Sequence, residues 1–231
     1  MSETIKTTII AKIHNDFKTK FGIPRQSGIA DSMVSEIVFE KEYRDENALR
    51  GIEDFSHLWL IWHFSESEKD EWSPTVRPPR LGGNKRMGVF ATRSPFRPNP
   101  IGLSSVKLLS VERTKDRGTV LKVSGADLMN GTPILDIKPY LPFTDSHADA
   151  VGGFSEQTKE YAVEVVIPDS ISVQFDKEEF SALTQILAHD PRPSYQEESD
   201  RIYGLSYGKY DIHFKVSDGV LTVVSVDFLS D

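Results

Sequence analysis

Three polar side chains close together in this 231-residue chain could carry proton-transfer chemistry. In one predicted strand, alternation puts Asp136, Lys138 and Tyr140 on one face and Leu135 and Ile137 on the other. A carboxylate, an ammonium and a phenol held near one another could remove a proton from a substrate and orient it. The same pattern fits a solvent-facing strand with one salt bridge, and the spacing leaves that alternative open.

A second candidate functional region is the basic segment from Trp72 to Val111. It contains no Asp or Glu and seven Lys or Arg residues, in a chain whose net charge is −8. Such a segment attracts an anionic partner, and RNA phosphates are bound chiefly by Lys and Arg. The alternative is a solvated loop whose charges pair with acids elsewhere in the fold. The residues predicted to contact RNA are Arg77, Arg80, Lys85, Arg86 and Arg97.

Two loops have compositions that suit ligand contact. In the stretch Ala91–Gly102, three prolines stiffen a run with little regular structure, so its two arginines lose little entropy on binding a phosphate or carboxylate. The alternative is a rigid turn with its arginines in water. In Gly125–Gly131, two glycines flank acidic and amide groups, which suits a backbone that approaches a ligand but is weak as an indication on its own.

The elements that would position these residues are short strands. Runs rich in Val, Ile, Leu and aromatic residues, bounded by turn residues, recur through the first 140 residues. They predict a mainly β fold whose antiparallel sheet closes into a barrel. The predicted strands are Thr7–His14, Ser35–Phe39, His57–Phe64, Met87–Ala91, Leu103–Val111 and Thr119–Val123.

The remainder of the chain predicts a small α+β domain. A connector rich in Ser, Asp, Ala and Gly spans Phe143–Thr158, so we expect a barrel domain at residues 1–150 and a connector with the second domain at residues 151–231. Asp176 with Glu179 three residues later marks a helix start, and Pro191 marks its end. A hairpin with alternating apolar residues follows, turning at Asp218 and Gly219.

Composition excludes several classes of protein. With 38% hydrophobic and 27% charged residues the chain is an ordinary globular protein. The absence of cysteine excludes a disulfide framework, a Cys-ligated metal and a thiol nucleophile, and the six histidines show no ligand spacing, so we expect no metal. No signal peptide or membrane-span pattern is present, which predicts a cytoplasmic protein with no membrane partner.

Several irregular blocks closely resemble the tRNA threonylcarbamoyladenosine methyltransferases, which are β-barrel enzymes. Together the blocks reach from about Thr7 to the C-terminal hairpin. They are Pro24–Gln26, Phe55–Trp59, Pro74–Asn84, Met87–Ser94, Phe96–Gly102, Gly131–Tyr140 and Asp190–Tyr195.

The resemblance implies a homodimeric enzyme that uses S-adenosyl-L-methionine to methylate the exocyclic nitrogen of threonylcarbamoyladenosine. This nucleoside stands at position 37, beside the anticodon of certain tRNAs. At Ser65–Glu66 similar proteins more often have His or Asp followed by Gln, and at Asn130 an acid is commoner. The implied cofactor contacts are Pro24, Arg25, Gln26, Ser65, Glu66, Arg93, Leu103, Asp127, Leu128, Met129 and Asn130.

The implied reaction also gives the polar strand a task. The attacking nitrogen carries a carbamoyl group, so its lone pair is delocalised and a general base should help remove its proton. Asp136 and Tyr140 are the candidate bases, and Lys138 could hold the threonyl carboxylate or favour the phenolate. Two alternatives stay open: an RNA-binding module without chemistry, and a methyltransferase for another RNA or a small molecule.

Overall fold

The structure, a computed structural model, describes residues 3–67, 71–81, 85–158, 161–192 and 198–229. The side chains of Arg80, Gln157 and Thr158 are also outside the described part. Six residues of the family-like blocks lie outside the described residues: Gly82, Gly83, Asn84, Pro193, Ser194 and Tyr195.

Six strands of the N-terminal part form a closed barrel in the order β1-β2-β7-β6-β3-β8, with antiparallel pairing throughout. A separate two-stranded hairpin, β4-β5, interrupts the barrel sequence. The predicted mainly β fold with a barrel is confirmed. The strands are β1 Ala11–His14, β2 Val34–Phe39, β3 His57–His63, β4 Thr75–Val76, β5 Met87–Gly88, β6 Ile101–Thr114, β7 Gly118–Ser124 and β8 Pro133–Pro139.

Alternate residues of β1, β2 and β3 fill the barrel. On β3, Leu58, Leu60 and Trp62 are buried, while the residues between them face outward. β6 places Gly102 opposite Trp62, and a Cβ at Gly102 would lie 2.2 Å from the indole ring. A larger residue at position 102 would therefore displace the tryptophan.

The strand that carries the polar trio departs from simple alternation. Its pairing with β3 shifts by one residue between Ile61 and Trp62, which marks a bulge. As a result Ile134 and Ile137, three positions apart, pack into the barrel core. The core position predicted for Leu135 is thus taken by Ile134, and that part of the prediction is wrong.

One predicted strand has a different conformation. Met87–Ala91 is not one strand, because β5 ends at Gly88 and the chain then coils into a 3-10 helix.

Among the described residues, the helices are α1 Pro142–Asp145, α2 Asp169–Ser172 and α3 Lys177–Ala188, and the 3-10 helices are Lys41–Tyr43, Glu46–Leu49, Ile52–Asp54, Ser65–Ser67, Pro79–Leu81, Val89–Ala91 and Gly153–Thr158. None of the described helices is long and apolar enough to cross a membrane.

The C-terminal part is a sheet in the order β10-β11-β12-β9 with α3 beside it. α3 begins as predicted, with a capping box in which Asp176 and Glu179 each bind the other's main-chain NH. The predicted turn between β11 and β12 is confirmed. The strands are β9 Glu164–Val166, β10 Tyr203–Tyr207, β11 Tyr210–Ser217 and β12 Val220–Phe228.

The core under this sheet also takes residues from near the start of the chain. Phe17, Ala30 and Met33 are buried in the same cluster as the apolar face of α3. The main-chain NH of Gly208 donates to the carbonyl of Asp16 at 3.0 Å. The segment between β1 and β2 therefore leaves the barrel and packs on the C-terminal sheet, on the far side of the boundary predicted at residue 150.

Candidate active site

A cleft of about 250 Å³ opens at one end of the barrel. Its walls come from the segment after β1, the end of β3 with the turn that follows it, and the loop after β7. Five predicted cofactor contacts line it: Pro24, Ser65, Glu66, Asp127 and Met129. The other described lining residues are Lys20, Ile23, Trp62, His63, Phe64, Ser67, Pro95 and Thr132. The structure thus gathers stretches that are about 100 residues apart in sequence.

Asp127 is held by the barrel through two consecutive hydrogen bonds. The Ser104 hydroxyl donates to its Oδ1 at 2.5 Å, and Trp62 Nε1 donates to the same hydroxyl oxygen at 2.9 Å. Burial raises the pKa of Asp127, although the Ser104 hydrogen bond and the charge of Arg93 act in the opposite direction. A carboxylate fixed in this way at a cleft wall can bind a cation or accept hydrogen bonds from hydroxyl groups.

Arg93 reaches this region from the proline-rich loop. Its Nη1 donates to Oε1 of Gln26 at 2.5 Å, so two predicted cofactor contacts from distant parts of the chain meet. Gln26 Nε2 in turn donates to the carbonyl of Arg25 at 2.5 Å. The guanidinium of Arg25 itself donates to main-chain carbonyls of the C-terminal part.

The loop after β7 holds the neighbouring segment mainly through its backbone. The Leu128 side chain is buried in the barrel core, and its carbonyl accepts from Asn15 Nδ2 at 2.8 Å. Asn130 accepts from the Asn15 NH at 3.1 Å and donates its own NH to the Phe17 carbonyl at 2.8 Å. These contacts fix where the chain leaves β1 and enters the cleft wall.

The polar trio lies on the outside of the barrel and does not line the cleft of its own chain. Lys138 Nζ lies 2.8 Å from Asp136 Oδ2, and both side chains are partly exposed. The Tyr140 ring packs against Trp59, with ring centroids 5.5 Å apart. The solvent-facing salt bridge that was the alternative for this strand is therefore present.

Leu103 shares that outer face. Ile61 on β3 pairs with Leu103 of β6 on one side and with Asp136 of β8 on the other, so the three point outward in a row. Leu103 is 52% exposed and Ile101 41% exposed. The structure thus places Leu103 with the polar trio, apart from the other cofactor candidates.

Known families match both parts of the chain. The model of the tRNA-methyltransferase O N-terminal domain matches residues 12–146, and that of the TrmO C-terminal domain matches residues 160–229. The chain belongs to the tRNA-methyltransferase O family.

Individual members of this family align over nearly the whole chain. The tRNA (adenine(37)-N6)-methyltransferase of Escherichia coli (strain K12) is 40% identical over 228 residues, 94% of this chain and 96% of that protein. A putative S-adenosylmethionine-dependent methyltransferase of Pseudomonas aeruginosa is 37% identical, with 89% and 90% covered. A crystal structure of TrmO from P. aeruginosa has a TM-score of 0.80 at 30% identity and covers 99% of each chain.

The tRNA-methyltransferase O resemblance did not point to two polar side chains at the cleft. Lys20 Nζ donates to the carbonyl of Glu66 and, at 3.1 Å, to the Ser67 hydroxyl. Ser104 connects Trp62 to Asp127. Lys20 lies in a lysine-rich segment without a motif, and Ser104 resembles any inward-facing strand serine, so only the three-dimensional contacts single them out.

The predicted RNA contacts separate into two groups. Arg77, Lys85 and Arg86 are exposed on the β4-β5 hairpin or its connection, whereas the side chain of Arg80 is not described. Arg97 is half-buried and donates to the carbonyls of Val89, Thr92 and Ser94, so it fixes its own loop.

In the part of the chain that the structure describes, no group of three His, Asp or Glu residues could hold a metal.

Proposed function

We propose that this family member transfers a methyl group from S-adenosyl-L-methionine to the exocyclic nitrogen of threonylcarbamoyladenosine at position 37 of certain tRNAs. The observation that carries the proposal is the cleft, which gathers Pro24, Ser65, Glu66 and Met129 around the half-buried carboxylate of Asp127. The names of the E. coli and P. aeruginosa relatives support the reaction and the cofactor.

The chemistry of the cleft fits this cofactor. S-adenosyl-L-methionine, when bound, supplies the methyl group from a sulfonium, and it also carries an ammonium, a carboxylate, ribose hydroxyls and an adenine. Asp127 matches the ammonium or the hydroxyls, and the Lys20 ammonium matches the carboxylate. Trp62 and Phe64, with ring centroids 4.1 Å apart, give the cleft an aromatic wall.

The chain has two tasks in this reaction, positioning and proton removal. Displacement at a methyl group needs the attacking nitrogen in line with the leaving sulfur, so a rigid barrel end contributes by fixing that geometry. Asp136 and Tyr140 are the proposed proton acceptors, and Lys138 the proposed contact for the threonyl carboxylate. One oxygen of Asp136 contacts Lys138 and the other accepts from the NH of Ile137, and each oxygen keeps a further lone pair that can accept a proton.

The separation of the trio from the cleft supports a homodimer. The outer face of β3, β6 and β8 exposes Ile101 and Leu103 beside the trio. Apolar side chains grouped on a surface are typical of protein–protein contacts. In the proposed dimer a second copy covers this face and brings its cleft to Asp136 and Tyr140.

The proposed tRNA substrate also gives the basic hairpin a role and indicates where the enzyme acts. The exposed Arg77, Lys85 and Arg86 are proposed to hold the phosphates of tRNA. We also propose that the enzyme acts in the cytoplasm, where tRNA is available as a substrate.

The decisive experiment incubates the purified protein with S-adenosyl-L-methionine and tRNA that carries unmethylated threonylcarbamoyladenosine. Mass analysis of the nucleosides should show one added methyl group on that nucleoside. Asp127→Ala is the matched negative control, because it keeps the basic hairpin and removes the carboxylate at the cleft. If no tRNA nucleoside gains a methyl group, the proposed substrate is wrong.

A melting experiment separates the enzyme from a binding module without chemistry. A ligand that binds only the folded state raises the melting temperature. S-adenosyl-L-methionine should therefore stabilise the wild-type protein and not Asp127→Ala. A protein that binds tRNA but is not stabilised by the cofactor would be an RNA-binding module.

A further inference from the structure

Arg25 connects the cleft wall to the loop that ends α3. Its Nη2 donates to the carbonyl of Arg192 at 2.9 Å and to that of Asp190 at 3.3 Å, more than 160 residues along the chain. Its neighbours face the other way: Pro24 lines the cleft, and Gln26 accepts from Arg93. In the segment at residues 24–26, Arg25 therefore contacts the C-terminal part, while Pro24 and Gln26 lie at the cofactor region.

The loop that accepts from Arg25 is held rigidly. The side chains of Asp190 and Arg192 are only 7% and 12% exposed, and Nε and Nη2 of Arg192 donate to the two carboxylate oxygens at 2.8 Å each. The Tyr161 hydroxyl donates to Asp190 Oδ2 at 2.8 Å. Burial would raise the pKa of Asp190, but the Arg192 and Tyr161 hydrogen bonds outweigh it and the pKa is lowered, so this carboxylate stays ionised.

The backbone conformation of residues 190–192 turns two of their carbonyls toward the Arg25 guanidinium. Asp190 has a φ of 48°, the left-handed conformation in which many helices end, and Pro191 prevents α3 from continuing. The carbonyls that follow α3 point away from the helix toward the guanidinium, and a cation at this end is favoured by the helix dipole. The ion pair of Asp190 and Arg192 therefore fixes two carbonyl acceptors for a residue of the cleft wall.

The segment at residues 20–25 forms a shared wall. On one side Lys20, Ile23 and Pro24 line the cleft. On the other side the same three residues and Arg25 line a cavity of about 180 Å³, closed by residues at the end of α3. A shift of the α3 end would move this wall, and with it the cleft.

We propose that Asp190 and Arg192 are positioning residues for the cofactor site, acting through Arg25. Their ion pair presents two carbonyls that hold the Arg25 guanidinium, and this contact fixes the segment at residues 24–26 at the cleft. The C-terminal domain thereby sets the affinity for the cofactor without touching it. The inference rests on the proposed function only in taking S-adenosyl-L-methionine as the ligand of the cleft.

Calorimetry on two variants tests the link from both sides. Arg192→Gln removes the bidentate pair, and Arg25→Ala removes the guanidinium without disturbing the C-terminal core. Each should raise the Kd for S-adenosyl-L-methionine roughly tenfold, the size of a typical coupling between sites. The double variant should be no worse than the weaker binder of the two, because both changes break one connection. Arg192→Lys, which keeps the charge but not the bidentate geometry, should restore part of the affinity.

The matched control is Lys209→Ala. It breaks a different ion pair of the C-terminal domain, with Glu179 in the first turn of α3, about 16 Å along the helix from Asp190. It should leave the Kd unchanged even if it lowers the melting temperature. If Arg192→Gln also lowers only the melting temperature, or if its effect on Kd adds to that of Arg25→Ala, the two residues are merely structural and the proposal is overturned.

Hydrogen exchange distinguishes this proposal from the proposed function. Without any ligand, Arg192→Gln and Arg25→Ala should both speed amide exchange at residues 21–28 while β3 and β6 stay protected. If the wild-type protein does not bind the cofactor, the proposed function fails, and the exchange result still decides whether Arg192 holds this segment. Unchanged exchange at residues 21–28 in both variants would overturn the link.

Discussion

The cleft at the barrel end and the outer face of β3, β6 and β8 are built in opposite ways. The cleft collects residues from distant stretches and fixes its carboxylate, Asp127, by hydrogen bonds from the barrel interior. The outer face takes its polar groups from neighbouring positions of β8, and those groups are partly exposed. The first arrangement is preorganised for binding, whereas in the proposed dimer the second is completed by the surface of another copy.

This difference has consequences for substitution. A buried polar group that loses its partner costs more than an exposed one, because water cannot replace the missing hydrogen bond. Changes at the cleft should therefore alter ligand affinity and some stability. Changes on the outer face should spare the fold and act on the reaction.

The largest expected effect is on the outer face. Tyr140→Phe and Asp136→Asn should bind cofactor and tRNA nearly normally, while single-turnover methylation falls by roughly two to four decades, the usual contribution of a positioned proton acceptor. Quenched-flow measurement with saturating cofactor gives the rate. Tyr43→Phe is the matched control, because Tyr43 is 39% exposed in a 3-10 helix far along the chain.

The pH profile of the same reaction tells the two acceptors apart. A carboxylate base leaves the rate flat above mildly acidic pH, whereas a phenol base makes it climb toward alkaline pH. Wild-type rates in both variants would show that the ion pair of Asp136 and Lys138 is only a solvated contact and that the outer face takes no part in the reaction.

The next effect concerns the cleft. Asp127→Asn keeps the shape of the side chain and removes its charge, so the affinity for S-adenosyl-L-methionine should fall by about one to two decades, as expected when a charge-assisted hydrogen bond is removed. Calorimetry measures the Kd. Asp116→Asn, at an exposed turn between β6 and β7, controls for the change in net charge. Equal Kd values for Asp127→Asn and the wild-type protein would contradict the assignment of this carboxylate to the cofactor.

The two regions also differ in how far the sequence predicts them. Alternation alone placed Asp136 and Lys138 on one face, since they are two positions apart on one strand. It failed at Leu135, because a bulge depends on the pairing with β3 and leaves no local pattern. The barrel itself was predictable from short strands with turn residues between them.

The cleft could be predicted only through the family resemblance. Asp127 meets Ser104 because β6 and the loop after β7 come together in the folded barrel, and no spacing rule relates positions 104 and 127. The contact of Arg25 with the Asp190 and Arg192 carbonyls is invisible in sequence, since main-chain acceptors have no residue type. Arg97 was interpreted as a phosphate contact, and the structure shows that its donors hold loop carbonyls.

A smaller effect is expected for the exposed hairpin, because surface charges are solvated and screened. Replacing Arg77, Lys85 and Arg86 together by Ala should lower tRNA affinity and reduce the slope of log affinity against log salt by about three, one for each phosphate that is no longer neutralised. Filter binding over a salt series measures both quantities. The triple variant Lys41→Ala, Lys115→Ala and Lys177→Ala removes the same charge from exposed positions elsewhere. If the two triple variants have equal slopes, the hairpin is not the docking site.

The smallest expected effect tests whether the barrel interior tunes the cleft. Ser104→Ala removes the hydroxyl that donates to Asp127 and accepts from Trp62 Nε1. A single hydrogen bond contributes about 0.5–1.5 kcal/mol, so the Kd for S-adenosyl-L-methionine near neutral pH should rise roughly two- to tenfold.

The pH dependence of cofactor binding shows whether the change in Kd caused by Ser104→Ala comes from the Asp127 carboxylate. Binding needs the Asp127 carboxylate, so affinity should decrease as the pH falls through the pKa of Asp127, which burial raises. The Ser104 bond lowers this pKa, and its removal should raise the pKa further. In Ser104→Ala the loss of affinity should therefore begin at a higher pH than in the wild-type protein. Calorimetry between about pH 5 and pH 8 measures the shift. Asp127→Asn should lack this decline, because it cannot be protonated in that range. If Ser104→Ala follows the wild-type curve, the hydroxyl does not tune the carboxylate, and the cleft is less dependent on the barrel interior than the comparison with the outer face implies.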